Sequence, residues 1–163
     1  MSTQVQWFED VQVGMELPEV RWRPSTVQLF RFSAVTWNAH RIHFDRPYAQ
    51  REGYSDVLVQ SQLHGCVIAK AVTDWLGPHG TLRSFLWRNH APAVPGTELT
   101  VRGVVRRVQA ATEVGEVEIE LEERDEHDVL CAPANATVIL PRRIPTAART
   151  ERGREPQGGS DER

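Results

Sequence analysis

Residues 61–76 read SQLHGCVIAKAVTDWL and are followed by Gly77 and Pro78. Leu63, Val67, Ala71 and Trp75 recur at steps of four, with Ile68 and Val72 widening the stripe. That spacing predicts one long helix buried on most of its sides. A glycine and then a proline after the last periodic residue is the expected stop. Beyond it the period changes to two. Strands are predicted over residues 82–90, 98–108, 114–123 and 129–140. The clearest alternation sets Val117, Ile119 and Leu121 on one face and Glu116, Glu118, Glu120 and Glu122 on the other, as in a sheet with one wetted face. Pro133 inside the last strand predicts a bulge or an edge position.

Upstream, Gly14 reads as a turn, and residues 16–23 alternate well enough for a first strand. Ser25 or Thr26 can cap a helix running to about Thr36, with Val27, Phe30 and Ala34 along its stripe and Leu29 and Phe32 beside it. Residues 37–45 form a polar, histidine-rich loop. Pro47 suits the start of a short helix ending near Gly53.

One long helix and an antiparallel sheet with a single apolar face have only each other to cover them. An α+β domain over residues 1–145 follows, with sheet edges that favour self-association. Residues 146–163 carry charge, glycine and proline with almost no large apolar side chain, which predicts a disordered tail. The chain has 163 residues, 40% of them apolar, enough for one modest core.

A net charge of -3 makes no electrostatic case for nucleic acid or an anionic membrane as partner. Met1 to Asp10 is polar and acidic, so no secretory signal is expected, and no apolar run reaches the roughly 20 residues of a membrane span. The two cysteines, Cys66 and Cys131, have no paired spacing, which predicts a reduced, cytoplasmic protein. Six histidines and two cysteines form no recognisable metal-ligand pairs, so no metal is expected.

The stretch TWNAHRIHFD, residues 36–45, followed by RPYA, residues 46–49, closely resembles the MaoC-like hydratases and dehydratases, a hot-dog-fold family. Within it, the resemblance is to the branch of mesaconyl-CoA hydratases and 3-hydroxyacyl-thioester dehydratases. The opening WFEDVQVG, residues 7–14, is similar to that family's usual entry into its first strand, and the resemblance extends over about residues 7–140. It implies a long central helix wrapped by an antiparallel sheet. It also implies hydration of a 2-enoyl thioester, or dehydration of a 3-hydroxyacyl one, carried on CoA or a carrier protein, with no metal or redox cofactor. Hot-dog dimers are implied too, with the partner either a second copy or another hot-dog chain.

Carried over by position, His43 falls on the catalytic histidine. Imidazole suits a reaction in which water loses a proton and the α-carbon gains one. The backbone N–H groups of Ser61 and Gln62 fall near the oxyanion-binding turn at the helix N-terminus, where the dipole favours negative charge. Asn38 stands where many members carry an aspartate, and asparagine can orient water but has no exchangeable proton at useful pKa. Gln60-Ser61 replaces the family's His-Gly.

Each residue has a plainer reading beside the functional one. His43 is a general acid/base or a loop histidine shaping its turn. Asn38 orients water or forms a turn. His40 touches substrate or is an exposed loop residue. Arg41 pairs with a substrate carboxylate or phosphate, or makes a surface ion pair. Asp45 supports His43 or caps the short helix. Gln62 and His64, on the first helical turn, can line an acyl pocket, whereas Cys66 reads as small core packing. Arg102, Arg106 and Arg107 contact CoA phosphates or simply solvate a strand. Four functions stay open: an active hydratase/dehydratase, a non-catalytic subunit of a heteromeric hydratase, a thioesterase, and a thioester-binding module. The absence of Asp or Glu over residues 61–73 counts against the thioesterase.

Overall fold

The computed structural model describes residues 6–143, so the tail expected over residues 146–163 lies outside the described residues. In chain order it contains β1 (Val20–Trp22), α1 (Thr26–Thr36), α2 (Arg46–Arg51), α3 (Ser61–Leu76), β2 (Thr81–Trp87), β3 (Leu99–Ala110), β4 (Val114–Asp125) and β5 (Leu130–Pro141). Short 3-10 turns lie at Phe8–Asp10 and Arg41–His43. The strands form one antiparallel sheet in the order β1-β3-β4-β5-β2.

β1 and β2 flank the helical region in sequence but occupy opposite edges of the sheet. The chain must therefore cross the full width of the sheet between them, and α3 makes that crossing. Ile68, Ala71, Val72 and Leu76 pack on Val101, Val105, Val117, Ile119 and Leu121. Alanines 132, 134 and 136 on β5 leave room for the helix. Ile68 and Leu76, both buried, each contribute roughly 1.5–3 kcal/mol by leaving water. A second cluster, with Leu29, Ala49, Val57, Val59, Leu63 and Leu99, packs α1 and α2 beside the start of α3. This is the helix-in-sheet arrangement that the resemblance implies.

Several local expectations hold for the reasons given. Ser25 caps α1, accepting from the Gln28 N–H at 3.2 Å, and Asp45 caps α2, accepting from the Tyr48 N–H at 3.0 Å. Glu116, Glu118, Glu120 and Glu122 face outward and pair with Arg83, Arg107, Arg106 and Arg124. Arg102 pairs with Glu19 at 2.8 Å, so the arginines of β3 are engaged with carboxylates.

Others are corrected. The first strand is shorter than residues 16–23, because Pro18 lacks an N–H for the ladder; only a bridge at Glu16 to Val104 precedes it. On α1 the buried residues are Leu29 and Ser33, while Val27 and Phe30 of the expected stripe are exposed. On α3 Leu63 and Ala71 of the expected stripe and Ile68 and Val72 beside it are buried, Val67 and Trp75 are half-buried, and the buried face extends to His64, Gly65 and Leu76. Gln62, Cys66, Lys70, Thr73 and Asp74 leave an open polar side, so Cys66 is exposed rather than core. Pro133 is not on an edge, since β5 lies between β4 and β2. Its carbonyl accepts from the Arg88 N–H at 3.2 Å just past the end of β2, so its missing donor faces a strand already leaving the sheet. The bulge lies at Cys131, where the pairing shifts between Glu123 and Arg124.

α3 is tied to β2 by Trp87, whose Nε1–H donates to the Ser61 carbonyl at 3.0 Å. The same indole lies over Gly65, where an added Cβ would stand 2.5 Å from its ring. A rigid aromatic that is also hydrogen-bonded cannot swing aside cheaply. Gly65→Ala is expected to destabilise the fold by roughly 1–3 kcal/mol, read as a lower urea midpoint at constant slope.

Candidate active site

The loop after α1 is built by short-range hydrogen bonds. Trp37 ends the helix in the left-handed region (φ 54). Asn38 then takes a 3.0 Å backbone bond back to the Ser33 carbonyl. Its side-chain Oδ1 accepts from the His40 N–H at 3.2 Å. The turn-forming reading of Asn38 is thus realised, and its amide Nδ2 is the group left over for a ligand.

The following 3-10 turn is clamped at two points. The Leu58 N–H donates to the Ile42 carbonyl at 2.8 Å, and the Leu58 carbonyl lies 2.8 Å from His43 Nδ1. A carbonyl only accepts, so Nδ1 carries the proton and Nε2 is the unprotonated nitrogen of the neutral ring. Among the described residues Nε2 has no hydrogen-bond partner, and it is not a sealed, unsatisfied atom. Burial pushes the His43 pKa below the ordinary value of 6.5; the nearby His40 charge adds to this and the Leu58 hydrogen bond opposes it. The ring is therefore held as a neutral base.

Gln60 locks the entry to α3. It is fully buried, and its Nε2 donates to the Leu29 carbonyl at 2.8 Å and to Ser33 Oγ at 2.9 Å, both on α1. Its Oε1 is enclosed without a partner. No side chain caps the helix. The Leu63 and His64 N–H groups turn back to the Gln60 carbonyl, whereas those of Ser61 and Gln62 take no protein acceptor among the described residues. Two first-turn donors thus remain at the positive end of a 16-residue helix.

These groups meet in a cavity of about 480 Å³, within the usual range for small-molecule clefts. Asn38, His40, His43, Ser61 and Gln62 all line it, joined by His64, Tyr54, Asn89 and His90. Arg41 does not. Its guanidinium lies against Asp45 at 2.5 Å and over the Tyr48 ring at 4.6 Å, so the surface ion pair is the reading realised. His40 is exposed, and its ring lies edge-on to His43 at 6.1 Å.

One arrangement on the cavity wall lies outside the sequence reading. His64, only 2% exposed, hydrogen-bonds through Nδ1 to Glu123 Oε2, and Glu123 is 0% exposed. The other carboxylate oxygen accepts from Trp22 Nε1–H at 2.6 Å. The signal was present: Glu123 continues the inward parity of Val117, Ile119 and Leu121 on β4. Cys131 nearby is no nucleophile, since burial pushes its thiol up to about 11.

Comparison with known proteins bears on the family and the fold. The family model described as hydroxyacyl-thioester dehydratase type 2 matches residues 12–95, a little over half of the 163-residue chain. The mesaconyl-C(4)-CoA hydratase of Chloroflexus aurantiacus is 48% identical over 73 residues, 42% of this chain and 24% of that one. The match thus spans about a quarter of that relative's length. The unliganded R-hydratase PhaJ1 from Pseudomonas aeruginosa has a TM-score of 0.74 at 20% identity, covering 83% of this chain and 86% of its own. A chain of the ChsH1-ChsH2 complex from Mycobacterium tuberculosis gives 0.70 at 21% identity, covering 79% and 98% respectively. At these identities the solved structures speak for the fold alone, which is the hot-dog fold. Among the described residues no helix is long and apolar enough to cross a membrane. With its long helix set into an antiparallel sheet and its family match over the loop and that helix, the chain belongs to the hydroxyacyl-thioester dehydratase type 2 family of MaoC-like hydratases and dehydratases.

Proposed function

We propose that this chain adds water to a 2-enoyl thioester, or removes it from a 3-hydroxyacyl thioester, with His43 as general acid/base. The observation that carries the reading is His43 Nε2: an unprotonated nitrogen on the wall of a cavity that also receives the uncapped end of α3. In the hydration direction Nε2 takes a proton from water as its oxygen attacks C3. The charge that moves onto the thioester oxygen is met by the Ser61 and Gln62 N–H groups. Asn38 Nδ2 positions the water, and His40 bounds the pocket beside His43. Water addition leaves the overall oxidation state unchanged, so the proposal includes no redox cofactor and no metal. CoA and carrier-protein thioesters both satisfy this chemistry.

Association into at least a dimer belongs to the same proposal. Phe30 is 62% and Trp37 93% exposed, with Phe44 beside them, an apolar surface that favours cover. A second reading makes this chain the non-catalytic half of a heteromeric hydratase. It is favoured by Asn38, whose side-chain oxygen is already used in its turn, and by the likeness to a chain from a two-component complex. On that reading the purified homomer is inactive until a second MaoC-like chain is added; activity of the homomer rules it out.

His43→Ala is expected to lower kcat/KM on a 2-enoyl-CoA by roughly a hundredfold or more, with the fold intact by circular dichroism. Unchanged turnover would remove His43 from the chemistry. The same ring predicts an acid limb. Its folded-state pKa lies below the unfolded value of about 6.5, so the neutral ring's contribution to stability is fully present above that pH. It is lost as pH falls through the lower, folded-state value. Ring titration by NMR should give a His43 midpoint below 6.5, and urea unfolding should show weaker stability at about pH 5.5 than at about 7.5. A midpoint above the ordinary value would contradict both statements.

A further inference from the structure

We propose that His64, held by Glu123, is the second proton-transfer group of this site and delivers the proton that C2 takes up during hydration. This rests on the hydratase reading and supplies what that reading lacks. Hydration moves two protons, one off water and one onto C2. His43 is suited to the first. Asn38 can perform neither transfer, and no Asp or Glu lines the cavity.

The geometry of His64 is that of an oriented acid. Its Nδ1 faces a carboxylate, which only accepts when ionised, so Nδ1 carries a proton. Glu123 is enclosed on β4, and its oxygens are met by Trp22 and His64. Among the described residues neither an arginine nor a lysine pairs with it. A buried carboxylate without a partner is costly by several kcal/mol, and the His64 ring and the Trp22 indole are the partners the site offers. The Trp22 ring stands edge-on to the imidazole at 6.0 Å and 79°, which fixes its plane. The far nitrogen, Nε2, has no protein partner among the described residues and is not a sealed, unsatisfied atom, and His64 lines the same cavity as His43.

Of the four histidines that line this cavity, His43 and His64 place Nδ1 against partners of opposite kind. A neutral carbonyl stands behind the desolvated ring of His43, whose pKa burial lowers, and a carboxylate stands behind the ring of His64. The step balances. The water O–H bond breaks toward His43 Nε2 as the C3–O bond forms. The C2=C3 electron pair moves to give an enolate at the thioester oxygen, held by the Ser61 and Gln62 N–H groups. The enolate then reforms the carbonyl as C2 takes the proton from His64 Nε2. Hydroxyl sits on C3 and hydrogen on C2, and solvent in the open cavity carries the proton from His43 back to His64. Dehydration runs the same steps in reverse. Glu123 touches no reacting atom and is a positioning residue.

The test uses the full chain with two probes: crotonyl-CoA for hydration, and saturated butyryl-CoA for exchange of its C2 hydrogens with D2O, followed by mass spectrometry. His64→Gln is expected to lower kcat for hydration by roughly a hundredfold or more with little change in KM, and to abolish C2 exchange. His43→Ala should lose hydration and keep the exchange. Glu123→Gln presents an N–H donor in place of an acceptor, so the ring proton should move from Nδ1 to Nε2 by 15N NMR, with kcat reduced. A purely structural pair would show no such tautomer change coupled to kcat. If His64→Gln folds poorly, the His64→Gln/Glu123→Gln double variant, which leaves no buried charge, carries the same expectation. A wild-type chain that turns over while these His64 variants keep its rate or exchange would overturn the role of His64 alone. A wild-type chain that hydrates nothing would overturn the hydratase reading, and this proposal with it.

Discussion

A helix end is brought into the interior here without a side-chain cap, and the rest of the molecule is arranged around that constraint. Orphan N–H groups at a helix start are normally met by a Ser, Thr, Asp or Asn just before it. α3 has Gln60 there, and the Gln60 side chain points away to bind α1 instead. The helix start is held by its surroundings: Gln60 ties it to α1, the Trp87 indole grips the Ser61 carbonyl, and apolar packing sinks the following turns into the sheet. Position is thus fixed by groups other than the donors, and the donors stay free for a ligand. A capped helix at the same place would be more stable and would leave these donors occupied.

The two histidines show how far second partners set chemistry. Both rings place Nδ1 against an oxygen, both residues line the cavity, and neither Nε2 has a partner among the described residues. The Leu58 carbonyl is neutral and belongs to a segment also hydrogen-bonded to Ile42, so it positions the ring without stabilising charge on it. The Glu123 carboxylate is ionisable and lies in the core, so it must share a proton with its neighbour or stand as a buried charge. Two residues of one type thus stand against different second partners, a neutral acceptor and an ionisable one.

What could be read from the sequence divides along physical lines. The bounds of α3 were legible to the residue, because periodicity and the Gly77-Pro78 stop are local signals. So was the Asp45 cap, which depends on one residue and the turn after it. The face of α1 was not legible: Val27 and Phe30 are as apolar as Leu29, and it is the long-range apolar cluster around Leu29 and the Gln60 amide at Ser33 that mark the inward side. Arg41 kept two readings, a substrate anion or a surface ion pair, because the sequence names no partner for it. The Asp45 and Tyr48 partners that hold it come from chain geometry. Glu123 is the instructive miss. Its parity on β4 was inward, yet the sequence reading gave a face only to the four outward glutamates and to Val117, Ile119 and Leu121. Its partner His64 is 59 residues away in sequence, so no local window joins the two.

The cavity itself follows from a place where the sheet cannot continue. β5 carries an extra residue at Cys131 and then Pro133, which has no N–H to return to the strand beside it. β2 ends at Trp87 opposite this irregularity. The chain beyond it stays attached through the Arg88 N–H to the Pro133 carbonyl and the His90 N–H to the Cys131 carbonyl, at 3.2 and 2.8 Å. It no longer lies in the sheet and instead bends across the mouth of α3, where Asn89, His90, Ala91 and Pro92 become a wall. The register shift in β4 falls immediately after Glu123, so the residue that orients His64 sits on the last regular inward position of its strand. A regular ladder through Cys131 and Pro133 would keep β2 paired past Trp87 and carry those four residues along the sheet, away from the helix end. The proline that weakens the sheet and the glutamate buried beneath it are therefore parts of one device: the first opens the space, and the second equips its floor.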